Sequence, residues 1–166
     1  MALSSDVKTV RYGSPGNSTQ PVNKPANSGI TVYRGSIALC DSTGNVKNSS
    51  SPASTDTCWG IIEDAWSGAM PSSVFNGPGI VIPASTTNGV VSIEIETGSF
   101  WLASSTGADA ITEANVGATV YVADETHVAL TTGGGRPVAG IVLAVDSSLG
   151  IAVKLGPVAG TTGGPS

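Results

Sequence analysis

Enzyme chemistry would need a positioned histidine or a pair of carboxylates, and the sequence offers little of either. His127 is the only histidine and lies in ADETHVAL, in a hairpin between two predicted strands. A Ser-His-Asp triad needs its histidine to be oriented by a third group, whereas a histidine in a hairpin is usually a surface residue. Carboxylates are adjacent at 63–64 and 124–125, but neighbouring residues of a strand point to opposite faces. We therefore expect no enzymatic activity and no catalytic residue.

The sequence also lacks the motifs of metal-binding and phosphate-binding sites. The two cysteines, Cys40 and Cys58, are far from the histidine in sequence and too few for a zinc site. Cysteine is among the most buried residue types, which favours buried free thiols, and a disulfide between neighbouring strands is the alternative. The run Thr132–Pro137 (TGGGRP) lacks the lysine and the strand–loop–helix setting of a phosphate-binding loop. We expect neither a metal nor a cofactor.

The elements that position these residues are predicted to be short β-strands. Within residues 90–156, apolar runs rich in β-branched and aromatic residues recur about every ten positions, separated by glycine, proline or polar turns. The five runs are Val90–Glu96, Ser99–Ala103, Thr119–Ala123, Pro137–Val145 and Ile151–Leu155. This pattern is typical of a small β-sandwich or barrel. Further strands are predicted at Ile30–Tyr33, Ser36–Cys40 and Cys58–Ala65.

One of these strands shows a clear alternation of apolar and acidic residues. Val91, Ile93 and Ile95 fall on one face of the strand, and Glu94 and Glu96 fall on the other. The first set is predicted to face the core. The two glutamates are predicted to form a polar outer stripe.

The predicted fold class is all-β, a small β-sandwich or barrel of short, mostly antiparallel strands with at most one short helix. That helix is a single turn within residues 107–116, with Asp109 as its candidate cap. Residues 1–29 contain three prolines and are predicted to form an extended N-terminal arm, because proline fixes φ and removes a hydrogen-bond donor. Residues 30–156 are assigned to the β-domain, with a long loop at 66–89, and residues 157–166 to a flexible tail.

Charge is distributed unevenly along the chain. Residues 1–47 carry five basic and two acidic side chains, whereas residues 48–166 carry two basic and ten acidic ones, for a net charge of −5. An acidic body repels phosphates, which argues against nucleic-acid binding. A mildly basic arm can instead lie across the acidic surface of another copy or of a different protein.

The arm contains candidate residues for contact with a partner. Its segment VKTVRY alternates as a paired strand does, and such a strand can add to the edge of a neighbour's sheet. Val7, Val10 and Tyr12 are the residues that we assign to this contact.

Further candidate contact residues lie in the long loop and in the strand that follows it. Trp66, Met70 and Phe75 either pin the 66–89 loop to the body or face a partner. Phe100 and Trp101 are consecutive, so they point to opposite faces of their strand and are both buried only if two faces are covered. Trp101 is therefore a candidate for an interface.

The sequence predicts neither export nor membrane insertion. The start MALSSDVKTV lacks the basic and apolar regions of a signal peptide. No apolar run approaches the roughly 20 residues that cross a bilayer. We expect synthesis in a cytoplasm and no membrane partner.

Short motifs follow one another in order through the β-domain. A GI strand (WGII, 59–62) precedes G-x-F (GSFWL, 98–102), G-x-x-V-Y (GATVY, 117–121), x-G-I-V (AGIV, 139–142) and a terminal V-x-L strand (VKL, 153–155). In order and spacing these motifs resemble the capsid decoration, or cement, proteins of tailed bacteriophages, which are small head-stabilising β-proteins. The resemblance covers residues 30–156.

The resemblance implies a structural virion protein, synthesised in the host cytoplasm, that binds the outer surface of a phage head as a homotrimer. Its partner would be the major capsid protein, its role would be to stabilise the capsid lattice, and the family implies no catalytic residues. The 66–89 loop is longer than the family's usual connection. Two alternatives stay open: a β-sandwich module that binds a carbohydrate or receptor through Trp66 and Trp101, and another phage part such as a head-fibre or tail component.

Overall fold

The computed structural model describes residues 3–12, 21–68 and 77–157. Over these residues the secondary structure consists of β-strands and two short 3-10 turns, without an α-helix, which confirms the predicted all-β class. The strands are β1 (Val10–Arg11), β2 (Val22–Pro25), β3 (Ile30–Val32), β4 (Ile37–Cys40), β5 (Val46–Lys47), β6 (Thr57–Trp66), β7 (Ile80–Ile82), β8 (Ser92–Glu96), β9 (Gly98–Ser104), β10 (Thr119–Val122), β11 (His127–Ala129), β12 (Val138–Asp146) and β13 (Gly150–Leu155). The 3-10 turns are Gly107–Asp109 and Glu113–Asn115.

Five strands close into a small barrel. β9 pairs with β11, β11 with β10, β10 with β12, β12 with β13, and β13 pairs back with β9. The β9–β11 pairing is parallel and the others are antiparallel. β1 pairs with β9 at Phe100 and Trp101, where β13 already occupies the other edge. β1 therefore lies on the edge that β9 shares with β11.

The other strands form a five-stranded antiparallel sheet, in the order β2-β8-β6-β4-β5, and a two-stranded ribbon of β3 and β7. Successive residues of β4 face opposite sides of the sheet. Ile37 and Leu39 belong to the core that the sheet shares with the barrel, whereas Ala38 and Cys40 belong to a second core beneath the ribbon. The sheet is thus the middle of three layers.

The predicted alternation in β8 is confirmed. Val91, Ile93 and Ile95 are fully buried in the second core. Glu94 and Glu96 are half-buried on the opposite face, and Glu96 pairs with Arg11, so they do not form the exposed outer stripe that the alternation predicted. The residue pattern therefore predicted both the strand and its inward face.

Both cysteines are free and buried, as expected from the residue type. Cys40 points into the second core and Cys58 into the core shared with the barrel, because they lie on opposite faces of the paired strands β4 and β6. This placement excludes a disulfide between them. Burial raises the pKa of Cys40 to about 11 and that of Cys58 to about 12, so both thiols are protonated near neutral pH.

Two segments are more structured than the sequence suggested. Residues 22–25, which the prolines assigned to the arm, form the edge strand β2. Pro25 is tolerated there because an edge strand leaves one row of donors unpaired. The 66–89 loop contains β7, whose Ile80 and Ile82 are buried against the sheet, so part of this loop is pinned to the body.

The expected helical turn takes the form of two 3-10 turns, and Asp109 does not cap either of them. Thr106 occupies the N-cap position of the first turn. The Asp109 carboxylate instead accepts hydrogen bonds from Thr131 and Arg136, which ties this segment to the β11–β12 connection. The assignment was wrong because an aspartate beside a turn has the same local pattern whether its partner is near or distant in sequence.

Candidate interaction surface

Among the described residues, the one arrangement that resembles a catalytic pair lies in the turn between β10 and β11. Nδ1 of His127 lies 2.9 Å from Oδ1 of Asp124, beside a cavity of about 350 Å³ that also includes Ser104. The same oxygen accepts hydrogen bonds from the backbone N–H groups of Thr126 and His127, at 2.9 Å each, which is the pattern of an Asx turn. Burial opposes ionisation of Asp124, but these bonds outweigh it and lower the pKa of Asp124. The Ser104 hydroxyl is bonded to backbone groups, so the geometry is that of a capped turn.

The N-terminal arm, residues 3–12 in the structure, lies along the outside of the body. Backbone N–H groups attach it at three points: Leu3 donates to Glu125 Oε2 (3.3 Å), Val7 to the Arg34 carbonyl (2.7 Å) and Tyr12 to the Ser99 carbonyl (2.7 Å). Between the last two points, β1 pairs with β9. The addition of an arm strand to a sheet edge therefore occurs within one chain.

Ion pairs hold the same arm at two of its three charged positions, Asp6 and Arg11. Arg34 contacts Asp6 of the arm (3.3 Å) and Asp64 of β6 (2.8 Å), and Arg11 of the arm pairs with Glu96. Burial works against the charge of Arg34, but the two aspartates outweigh it and raise its pKa. Partly exposed pairs of this kind contribute up to about 1 kcal/mol each. The arm is thus attached by several contacts that are individually weak.

Gly35 provides the space in which the arm lies. A Cβ at this position would overlap the carbonyl oxygen of Val7, and the backbone has a left-handed φ of +80°. The Gly35 carbonyl also accepts a hydrogen bond from the Thr9 hydroxyl. No sequence pattern marks this glycine as an arm contact, because both of its partners are distant along the chain.

Glu125 is a buried carboxylate beneath the start of the arm. It is 2% exposed; Oε2 accepts the Leu3 N–H, and Oε1 has no hydrogen-bond partner among the described residues. Burial raises the pKa of Glu125, and the nearby Asp124 acts in the same direction. The burial of Glu125 was not predicted, since Asp124 and Glu125 resemble an ordinary solvated pair in a hairpin.

Three of the predicted contact residues meet on the outer wall of the barrel. Tyr12 packs edge-to-face against Trp101, with ring centroids 5.2 Å apart and planes at 78°. Val10 is 45% exposed and lies opposite Trp101 across β1 and β9. The same row continues through Ala152 of β13, which is fully buried, to the half-buried Ala144 of β12. Opposite residues of antiparallel strands share a face. We call the surface formed by Val10, Tyr12, Trp101 and Ala144 the Trp101 face.

The other predicted contact residues lie elsewhere. Val7 is half-buried and lines a groove of about 510 Å³ that adjoins the Trp101 face. Trp66 is 58% exposed and lies at the end of β6, on the five-stranded sheet and not on the barrel. Met70 and Phe75 fall outside the described residues. The structure therefore brings the arm residues together with Trp101, and it separates Trp66 from them.

Among residues 3–12, 21–68 and 77–157, no three His, Cys, Asp or Glu side chains are grouped to hold a metal ion. In the same part of the chain no helix is long and apolar enough to cross a membrane. Comparisons of the chain with protein-family models, with curated proteins and with solved structures found no match.

Proposed function

We propose that this protein is a structural virion protein that binds the outer surface of a phage head as a homotrimer and stabilises the capsid lattice. It would be made in the host cytoplasm and would contact the major capsid protein. The observation that carries the proposal is the Trp101 face, where arm and barrel residues form an outward apolar surface on a compact β-body.

The geometry supports a contact that is spread over a surface and does not depend on a deep pocket. The Trp101 face spans four neighbouring strands, so it offers a broad wall on which an extended or flat partner surface can lie. A weak contact of this type gains avidity when it is repeated across a trimer and over a lattice. The order of the GI, G-x-F, G-x-x-V-Y, x-G-I-V and V-x-L motifs, which resembles the capsid decoration proteins, supports the same function.

Composition also supports a protein whose surface is covered by neighbours. Charged residues make up 11% of the chain, against roughly 25% in an average domain. A surface rich in Ser, Thr and Gly with few charges loses little solvation free energy when it is covered.

The proposal is tested with the purified protein and expanded, undecorated heads of the phage that encodes it. Light scattering should give the mass of a trimer. Mixed with heads, the protein should sediment with them up to a fixed ratio and should raise the temperature at which the heads break. A protein that stays in the supernatant at every ratio would contradict the proposal.

The contribution of the arm is tested by a chain that lacks residues 1–12. We expect it to keep its far-UV circular dichroism spectrum, because β1 is the only described strand removed. We expect weaker sedimentation with heads, because Val10 and Tyr12 are lost from the Trp101 face. Attachment equal to that of the full chain would exclude the arm from the contact.

A carbohydrate-binding module is the second candidate, and the groove beside Trp101 favours it. The groove combines the Trp101 ring with Lys8 and Ser148, and an aromatic ring with polar neighbours can stack on a sugar. A glycan array distinguishes the two functions. A capsid-binding protein should show no glycan preference, whereas selective binding that depends on Trp101 would favour the module.

A further inference from the structure

The pairing of the basic side chains singles out one surface of this acidic protein. All seven basic residues lie in the described part of the chain. Five of them have partners: Arg11, Arg34, Lys47 and Arg136 contact carboxylates, and Lys24 lies over the Trp59 ring at 3.5 Å. Lys8 and Lys154 are both exposed and have no ion-pair partner among the described residues.

These two lysines flank the Trp101 face. Lys154 lies on β13 two residues from Ala152, so its side chain projects from the same outer wall, and it is opposite Ser99 on β9. Lys8 lies in the arm and lines the groove that Trp101 also lines. The surface therefore has an aromatic and aliphatic centre with a positive charge on either side.

Asp146 carries a carboxylate at the end of β12, and it is engaged in the β12–β13 turn. Its Oδ1 accepts hydrogen bonds from the N–H and hydroxyl of Ser148 (2.8 and 2.6 Å) and from the N–H of Leu149 (2.9 Å). These bonds lower the pKa of Asp146, and they direct its oxygen into the turn. Asp146 thus caps a turn and is not an ion-pair partner of either lysine.

We propose that the Trp101 face is the surface that contacts the phage head, and that it recognises a protein surface with carboxylates around an apolar centre. This inference rests on the proposed function and names the partner chemistry of the same site. An apolar core with a charged rim is the usual anatomy of a specific protein interface. Because the protein carries a net charge of −5, an acidic partner is favoured at this face over most of the remaining surface, which orients docking.

The charge component is tested with a pair of variants that have the same net charge. Lys8→Gln/Lys154→Gln removes the two positive charges, and Ser85→Glu/Thr87→Glu adds two negative charges in the exposed loop between β7 and β8. Both proteins are titrated onto expanded, undecorated heads. We expect the apparent Kd of the Gln pair to rise by roughly tenfold at low salt relative to the Glu pair, and this ratio to approach one near 1 M salt, where the Debye length is about 3 Å.

The apolar component is tested with two valines of similar exposure. Val10→Ser changes a residue of the Trp101 face that is 45% exposed, and Val138→Ser changes a β12 residue outside it that is 41% exposed. We expect only Val10→Ser to weaken head binding, and we expect its loss to be the same at low and high salt. Thermal unfolding of each variant checks that the fold is retained.

The outcomes separate this inference from the function on which it rests. A wild-type protein that does not bind heads contradicts the proposed function and this inference together. Wild-type binding that is weakened equally by both charge variants, or by neither, overturns this inference alone. Retention on heparin that the Gln pair abolishes, while its head binding stays normal, would assign the lysines to an anionic glycan and also overturn it.

Discussion

Phe100 and Trp101 are neighbours on β9, yet they belong to different parts of the molecule. Phe100 is 1% exposed and packs among the barrel residues of the first core. Trp101 is half-buried on the outer wall, where it contacts Tyr12 of the arm. The inner residue holds the barrel together, whereas the surroundings of the outer residue depend on a short arm attached by separate weak contacts. Stability and proposed function are therefore divided between the two faces of one strand.

The largest expected effect is on the inner face. Phe100→Ala should lower the free energy of unfolding by about 3–5 kcal/mol, because it leaves a cavity in a closed barrel. Trp101→Ala should lower it by about 1–2 kcal/mol, from the loss of the edge-to-face contact with Tyr12 and of partial burial. Urea denaturation of both variants measures the contrast. Equal losses would show that the outer wall is as much a part of the core as the inner one.

The next prediction concerns the docking of the N-terminal arm on the body, measured by proteolysis. Gly35 and Gly44 have similar left-handed φ values, +80° and +84°, so alanine at either position introduces about 1–2 kcal/mol of backbone strain. At Gly35 the new Cβ also overlaps the Val7 carbonyl, whereas at Gly44 it has nothing within 4 Å. We expect trypsin to cleave rapidly after Lys8 and Arg11 only in Gly35→Ala. Equal cleavage rates in the two variants would show that arm docking does not depend on this contact.

A smaller effect should appear at the buried carboxylate under the arm. Burial raises the folded-state pKa of Glu125 above its ordinary value of 4.5. The stability that the protonated group provides is present below the unfolded-state pKa and is lost as the pH rises through the folded-state pKa. Glu125→Gln should therefore gain stability over the wild type as the pH rises from about 4 to about 7.

This prediction is measured by urea denaturation across the same pH range. Glu113→Gln changes the same charge at an exposed position and provides the reference for the comparison. A difference between Glu125→Gln and the wild type that stays constant with pH would contradict a buried, ionising carboxylate.

The last prediction concerns the reactivity of the two thiols, which are buried on opposite sides of the five-stranded sheet. Because burial raises the pKa of both Cys40 and Cys58, iodoacetamide at about pH 8 should label neither cysteine in the native protein and both after unfolding. Mass spectrometry counts the added groups. Rapid labelling of Cys58 without unfolding would place it outside the core.

Several strands could be predicted from the sequence because alternation of apolar and polar residues depends only on neighbouring positions. The alternation of Val91, Ile93 and Ile95 identified β8 and its inner face, and the consecutive positions of Phe100 and Trp101 placed them on opposite faces of β9. Parity along a strand depends only on neighbouring residues. The short strand β7 was not predicted, because three residues between a glycine and a proline give too little periodicity to read.

The residues that form and support the candidate surface could not be predicted from local alternation. Gly35 matters because of Val7, and Glu125 because of Leu3, and each of these contacts joins distant parts of the chain. The significance of Lys8 and Lys154 likewise depends on which cations find a partner after folding. Composition shows that the chain is acidic, but only the tertiary arrangement shows where positive charge remains.

The most direct test of the account is a reconstruction by electron cryomicroscopy of heads decorated with the purified protein. We expect additional trimeric density on the outer surface of the shell, with the wall formed by β1, β9 and β13 turned toward the major capsid protein. Heads without added density, or density that contacts the shell through the five-stranded sheet and leaves Trp101 facing solvent, would contradict the account.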